Sequence, residues 1–502
     1  MQVTPTTCEH SPSKASTTTP SQGSGCPVPH GAVDALHFDA VVVGGGIAGS
    51  TTAAALADRG FKVLVCEAGL PSTKRLAGEL MHPPGAAELE ALGLLEPLKA
   101  AGGVPVYGFA IFQTAADPGT VLSYSEIPGG RPIGIALEHA VLTRTLFEAT
   151  RARPNVTVWE GARVLGATPS VGGSVDGGNP LLPSDEGSPS MVAVRVGESV
   201  RHVTARLIVS AEGRSSKLRE DAGIQTHDDA PFRMVGWAIE GGRLPYPGYG
   251  HVFTGGPTPV LAYQVSKNAV RIMFELGMEE STDIGPELLS ALPEPFRSDV
   301  VRAMAESPKA TARFQGFRTD RVVANNLAVV GDAGGCVHPL TASGMSFCIA
   351  DAVRLAASLK DPAAPLLAGL KTYETARSGP MRTRAALGPA MVEALCSNEP
   401  SMRLLRHGLF RYWTGSPRGR GASMGLLSTR EDSMTVMARE YAIVCAHALV
   451  GVGTGAVARS EAVPAIRGLA RRTAELARGV MPSRGELGAR ARGALRKMGM
   501  SA

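Results

Sequence analysis

The sequence predicts an α/β fold: a parallel sheet wound with helices. Three strand-to-turn transitions predict it. Residues 38–43 read FDAVVV, a buried-strand pattern, and run straight into Gly44-Gly45-Gly46-Ile47-Ala48-Gly49. Residues 207–210 are mostly apolar and run into Glu212-Gly213 and a basic helix start. Residues 327–330 are apolar, end at Gly331-Asp332, and lead through Pro339 and Gly344 to a helix over 345–359. Uninterrupted apolar strands of this kind belong to a sheet covered by helices on both faces.

Each element has a local justification. Residues 1–37 are rich in Thr, Ser, Pro and Gly without an apolar stretch, so neither signal peptide nor anchor is expected there, only disorder. Gly44, Gly46 and Gly49 give the G-x-G-x-x-G spacing and open a helix of small residues over 50–58, which Arg59-Gly60 ends. A strand over 61–66 follows, closed by Glu67, 18 residues after Gly49. Gly44 makes the tight turn, Gly46 lets backbone approach a pyrophosphate, Gly49 lets helix pack on strand, and Glu67 accepts from a ribose diol. This is a Rossmann-like nucleotide corner. The later corner at Gly331-Asp332, with Gly344 and Met345 starting a helix, offers free N–H groups and partial positive charge to an electron-rich group.

Bulk properties exclude other classes. The 502 residues carry a net charge of +5, and the segment from Arg459 onward holds ten Lys and Arg against three Glu, so its +7 leaves the remainder near −2. A basic tail beside an apolar stretch suits an anionic membrane surface rather than nucleic acid, which wants a basic folded face. The seven cysteines, at 8, 26, 66, 336, 348, 396 and 445, show no Cys-x-x-Cys, which points to reduced thiols and no metal site. Trp159, Trp237 and Trp413 do not form the W-x-W-x-I-P run of flavin halogenases.

Longer segments carry a resemblance. Glu212 to Arg219 resembles the D-G-x-x-S-x-x-R segment of flavoprotein hydroxylases, with Glu212 for the usual Asp, and Gly331-Asp332 resembles the second flavin signature of that group. Arg75-Leu76-Ala77-Gly78-Glu79-Leu80-Met81-His82-Pro83-Pro84-Gly85 resembles the R-x-x-G-E-x-x-Q-P-G-G segment of squalene monooxygenases. His338-Pro339-Leu340-Thr341-Ala342-Ser343-Gly344-Met345 resembles that family's H-P-L-T-G-G-G-M. The similarity runs from about residue 38 to 458. Departures are His82 for Gln, Phe109 for the Tyr of a Gly-Tyr-x-Ile element, Val141 for an arginine that Arg144 could replace, Val337 for another arginine, and Ala342 and Ser343 for glycines.

The resemblance implies an FAD-binding domain of the flavoprotein hydroxylase type over 38–360, with a β-sheet substrate domain interleaved at about 104–138 and 230–318. A helical region over 361–458 and a basic amphipathic tail over 459–502 complete the expected layout. It implies FAD held by Gly44, Gly46, Gly49, Glu67, Arg75, Glu79, Arg144, Glu212, Gly213, Gly331, Asp332, Gly344 and Met345. His82, Phe109, His338 and Pro339 are expected as the catalytic residues beside the flavin, with His338 shaping its loop. The implied reaction transfers one atom of O₂ to an alkene of a lipophilic terpenoid or prenylated substrate. An aromatic hydroxylase, a flavin-dependent prenyl reductase and a non-redox flavin-assisted cyclase stay open as alternatives. No second glycine fingerprint is visible, so electrons come from NAD(P)H visiting the flavin or from a separate reductase. Water must be excluded, and the apolar residues Val235, Trp237, Ile239, Val252, Phe253, Val260, Leu261 and Tyr263 are expected to serve that end. Residues 441–458 lack a formal charge and would span ~27 Å as a helix, which suits peripheral or monotopic attachment on the cytoplasmic side of a membrane.

Overall fold

A computed structural model describes residues 36–70, 76–169 and 189–480. The strand Leu36–Val43 lies inside an eight-stranded sheet, paired in parallel with Ser199–Ser210 on one side and Val63–Glu67 on the other. Val156–Glu160 extends the sheet beyond Val63–Glu67, and Leu327–Val329 extends it beyond Ser199–Ser210, both in parallel. The strand order therefore reverses at Leu36–Val43, the topological position at which open α/β sheets form a ligand crevice beyond their carboxyl ends. The helix Ile47–Ala57 is buried along its whole length, which its Ala, Gly, Ser and Thr residues permit. It begins at Ile47 rather than 50, because the glycine turn itself supplies the first helical residues. Residues 207–210 prove to be the end of a longer strand. Its exposed, polar first half pairs antiparallel with Ser190–Val196, an arm that the apolar pattern could not reveal.

The second sheet has seven strands in the order Ala310–Phe314, Phe232–Glu240, Ala269–Leu276, Val260–Gln264, Gly250–Phe253, Gly108–Phe112, Thr120–Ser123. All its pairings are antiparallel except Gly250–Phe253 with Gly108–Phe112. Alternation divides the residues expected to exclude water. Val235, Trp237, Ile239, Phe253 and Val260 pack with Phe296 and Val300 of the helix Phe296–Glu306, as ordinary core on the far face. Val252, Leu261 and Tyr263 face the other way, with Phe109 and Ile111, toward the C-terminal helices.

Those helices are Leu366–Cys396, Pro400–Gly415, Pro417–Leu427, Met434–Thr454 and Ala462–Val480. The apolar stretch expected from 441 is part of a helix that starts at Met434, capped by Ser433. It lies close against Pro400–Gly415: a Cβ at Gly408 would sit 2.5 Å from the Ala448 nitrogen. The Tyr412 hydroxyl donates to Glu440 at 2.7 Å, which satisfies the buried acid.

Candidate functional site

Val43 lies opposite Ser210, and Ser210 opposite Val329, so the turns at Gly44, Glu212 and Gly331 leave the sheet side by side. Gly44 has φ +102, and a Cβ there would lie 2.4 Å from the Ala211 carbonyl oxygen. A Cβ on Gly49 would lie 1.8 Å from the Gly44 oxygen, so helix and strand approach only because both are glycine. The helix Ile47–Ala57 has neither a side-chain cap nor an acid in its first turn, which leaves its N–H groups available to an anion. Glu67 is held at the mouth of this turn by the Gly45 and Gly69 N–H groups, each 2.5 Å from a carboxylate oxygen.

Gly331, with φ +60, brings the second turn against this helix; a Cβ there would sit 2.7 Å from that of Ala48. Asp332 is half-buried beside it, and the Cys348 thiol, pushed well above its ordinary pKa by burial, donates to it at 3.6 Å. The helix Gly344–Leu359 also starts without a side-chain cap or an acid. A Cβ added at Gly46, Gly213 or Gly344 would meet nothing within 4 Å. Open glycines at two of the turns and at one of two uncapped helix starts leave the carboxyl ends of the strands open to a dinucleotide. Met345 is buried against Gly78.

Three residues expected at the cofactor, Glu79, Glu212 and Arg144, make other contacts. Arg75 lies outside the described residues. Glu79 is buried and gives both carboxylate oxygens to Arg271, at 2.8 and 2.9 Å, and one also to the Tyr263 hydroxyl. A carboxylate so enclosed requires a paired cation, and its partners lie in the second sheet. Glu212 accepts from Ser210, Ser216 and the Leu218 N–H, closing the start of the short helix Lys217–Asp221. Arg144 stands at the surface, paired with Glu148 and Glu160.

His82 is fully buried. Its Nε2 lies 2.8 Å from the Thr341 carbonyl oxygen, its Nδ1 2.6 Å from the Tyr124 hydroxyl, and its backbone N–H donates to the Ser346 hydroxyl at 3.1 Å. Burial pushes its pKa down to about 4, so the ring is neutral near pH 7. The Phe109 ring packs at 5.7 Å from it. His338 shapes its own turn: Nδ1 accepts from the Leu340 N–H at 3.2 Å, Nε2 meets Glu275 at 3.1 Å, and the ring stacks on Phe232. Pro339 opens the 3₁₀ turn Pro339–Thr341, and Ala342 follows it with φ +49, a left-handed conformation that costs a Cβ-bearing residue about 1 kcal/mol.

This turn has two sides. Thr341 leads on one side to the Gly344 helix start. On the other, Leu340 and Thr341 join Phe109, Ile111, Val252, Met391, Leu395 and Leu427 around a cavity of about 20 Å³, with no ionisable side chain in its wall. Tyr124 and Arg384, whose guanidinium reaches the Thr341 hydroxyl at 3.4 Å, stand beside this turn but carry no local sequence signal. Burial raises the thiols of Cys66, Cys336 and Cys396 to about 12, so they stay protonated and unreactive. Among the described residues no cluster could hold a metal ion.

Comparison with known proteins matches residues 204–456 to the squalene epoxidase family and residues 39–105 to FAD dependent oxidoreductases. Squalene epoxidase of Aspergillus fumigatus is 27% identical over 398 residues, 75% of this chain and 79% of that protein. Squalene monooxygenase of Mus musculus is 24% identical over 428 residues, 82% of this chain and 71% of that protein. Two solved structures share the fold. A flavoprotein/dehydrogenase from Cytophaga hutchinsonii has TM-score 0.66 at 15% identity, covering 83% of this chain and 100% of its own. A p-nitrophenol 4-monooxygenase from Pseudomonas putida has TM-score 0.63 at 17% identity, covering 79% and 100%.

Proposed function

The chain belongs to the squalene epoxidase family and is an FAD-dependent monooxygenase, and from that premise we propose that it epoxidises an alkene in a lipophilic terpenoid or prenylated compound. One observation carries the reading: the turn Pro339–Thr341 forms part of the wall of the apolar cavity and leads directly into the uncapped helix start at Gly344. FAD, when bound, supplies the activation of O₂. Gly44, Gly46, Gly49 and Glu67 would hold its adenosine and pyrophosphate, Asp332 its ribityl region, and the N–H groups at Gly344 the edge that becomes negative on reduction. Residues of the cavity wall, Phe109, Leu340, Leu395 and Leu427 among them, keep water from the reacting centre and guide an apolar chain to it. An alkene needs no acid or base from such a wall, and the wall has none.

Phe109, without the hydroxyl found at that place in the resembled segment, makes the wall more apolar and favours a ring-bearing prenyl substrate over squalene. Electrons come from NAD(P)H or a separate reductase. The exposed apolar stripe of the C-terminal helices docks on a membrane, from which such a substrate is taken. Turnover under ¹⁸O₂ with squalene and with prenylated indole or quinolone tests the reading. One ¹⁸O in an epoxide or its diol, with kcat/KM higher for the prenylated aromatic, is the expected result. A phenolic product would make it an aromatic hydroxylase, and a product without ¹⁸O a reductase or cyclase.

A further inference from the structure

We propose that Tyr124 is a positioning residue for the flavin: its hydroxyl fixes the tautomer of His82, and His82 holds the Pro339–Thr341 turn at the helix start that faces the crevice. The inference rests on FAD binding and not on the identity of the organic substrate. A carbonyl oxygen can only accept, so the 2.8 Å contact with Thr341 places the imidazole proton on Nε2. Nδ1 is then a lone pair, and the Tyr124 hydroxyl at 2.6 Å donates to it. Both groups are fully buried, so water cannot replace either bond, and burial keeps the phenol protonated. The relay therefore runs in one direction, from the Tyr124 hydroxyl through a neutral ring to the Thr341 carbonyl.

The substitutions at 82 and 109 explain why such a residue is needed. An amide at position 82 can accept and donate at once with no tautomer to choose. An imidazole must have its tautomer set, and Phe109 has no hydroxyl with which to set it. The hydroxyl arrives instead from the turn Tyr124–Glu126, which follows the edge strand Thr120–Ser123. That turn is itself clamped. Both carboxylate oxygens of Glu126 pair with Arg420, at 2.6 to 2.9 Å, and a Cβ on Gly421 would lie 2.2 Å from the Glu126 carbonyl oxygen. Arg420 and Gly421 belong to the helix Pro417–Leu427, whose Leu427 lines the apolar cavity. Tyr124 thus connects the cavity wall to the turn preceding Gly344.

Holding that turn fixes how the N–H groups of Gly344 and its neighbours meet the negative charge of reduced flavin, which is electrostatic preorganisation. The test uses FAD-loaded enzyme without organic substrate, measuring the two-electron midpoint potential by photoreduction against a reference dye, with the visible flavin spectrum and FAD occupancy. Tyr124→Phe is expected to weaken the preference for reduced over oxidised flavin by roughly tenfold, a shift of about −30 mV. His82→Leu should shift it equally, and the double variant no further, because the two act as one unit. His82→Gln, which can still accept from Tyr124 and donate to Thr341, should keep the wild-type potential. If Tyr124→Phe does not fold, the contrast between Leu and Gln at position 82 decides. Unchanged potentials in the folded variants, or additive shifts, overturn the proposal. Failure to oxidise any alkene would leave it standing.

Discussion

His82 and His251 are neutral because they are enclosed: burial pushes their pKa values from 6.5 down to about 4 and about 3. His251 is further fixed by accepting the Tyr246 N–H and by stacking on Phe112 and Phe253. Both side chains take up a proton near pH 6.5 when the chain unfolds, so between about 6.5 and 4 the unfolded state binds more protons than the folded one. Stability is then fully present above pH 6.5 and falls as the pH drops toward the folded-state values, by roughly 1.4 kcal/mol per pH unit for each histidine. Urea midpoints measured from pH 7.5 to 4.5 should show this acid slope, and His82→Gln should reduce it by the share of one proton. An equal slope in both proteins would mean that His82 is charged or exposed. Retained FAD absorbance in His82→Gln at pH 7 distinguishes this global effect from a loss of the cofactor. At the same scale, Gly44, Gly49 and Glu67 were legible in the sequence because their constraints are local: a positive φ, a close approach within six residues, and a strand end. Tyr124 was not legible, because its partner lies 42 residues away and nothing in the chain around it marks a buried hydroxyl.

Between elements, the bidentate pair of Glu79 and Arg271 fastens the segment before His82 to the middle of the second sheet, with Tyr263 on the same carboxylate. The segment's glycine-acid pattern was readable, yet the acid's role was not, since the residues it meets are 184 and 192 positions away in sequence. The expectation that it binds the cofactor came from the resemblance of its segment; the structure gives it Arg271 and Tyr263 as partners. Removing one partner of a buried ion pair leaves an uncompensated charge and costs about 3–5 kcal/mol. Arg271→Met should therefore lower the melting temperature steeply, and Glu79→Gln somewhat less, because an amide can still accept from the guanidinium. Joining Glu79→Leu to Arg271→Met should recover part of the loss of either single change, as a double-mutant cycle would show. Differential scanning fluorimetry with flavin fluorescence reads both consequences. A Glu79 variant that loses FAD at an unchanged melting temperature would return this residue to the cofactor. The three nucleotide turns, by contrast, were legible as elements, because each follows a short apolar run that ends in a glycine turn.

At the scale of the whole molecule, the C-terminal helices have two unlike surfaces. One face of Met434–Thr454, with Met437, Val444, Ala448 and Gly451, packs on the helix Pro400–Gly415 and its surroundings. The other leaves Ala442, Ala446, Leu449, Val450 and Gly453 exposed, spaced as one helical stripe. In the next helix Val463 and Ile466 are exposed too, beside Arg467 and Arg471. An exposed apolar patch rimmed by arginine matches an anionic lipid surface. Cutting the chain at 441 would be a poor test, because it would strip Val444 and Ala448 from the packed face and leave Gly408 and Tyr412 uncovered. Charges placed on the exposed stripe leave that packing alone. The quadruple change Leu449→Asp, Val450→Asp, Val463→Asp and Ile466→Asp removes apolar groups worth about 1.5–3 kcal/mol each when fully buried. It should reduce co-flotation with phosphatidylcholine–phosphatidylglycerol vesicles at least tenfold while FAD occupancy and melting temperature stay close to wild type. Turnover of a lipophilic substrate presented in those vesicles should fall with the flotation, and turnover of the same substrate in detergent should not. Equal flotation of both proteins would remove the stripe as the docking face, and the helices would then serve the cavity alone.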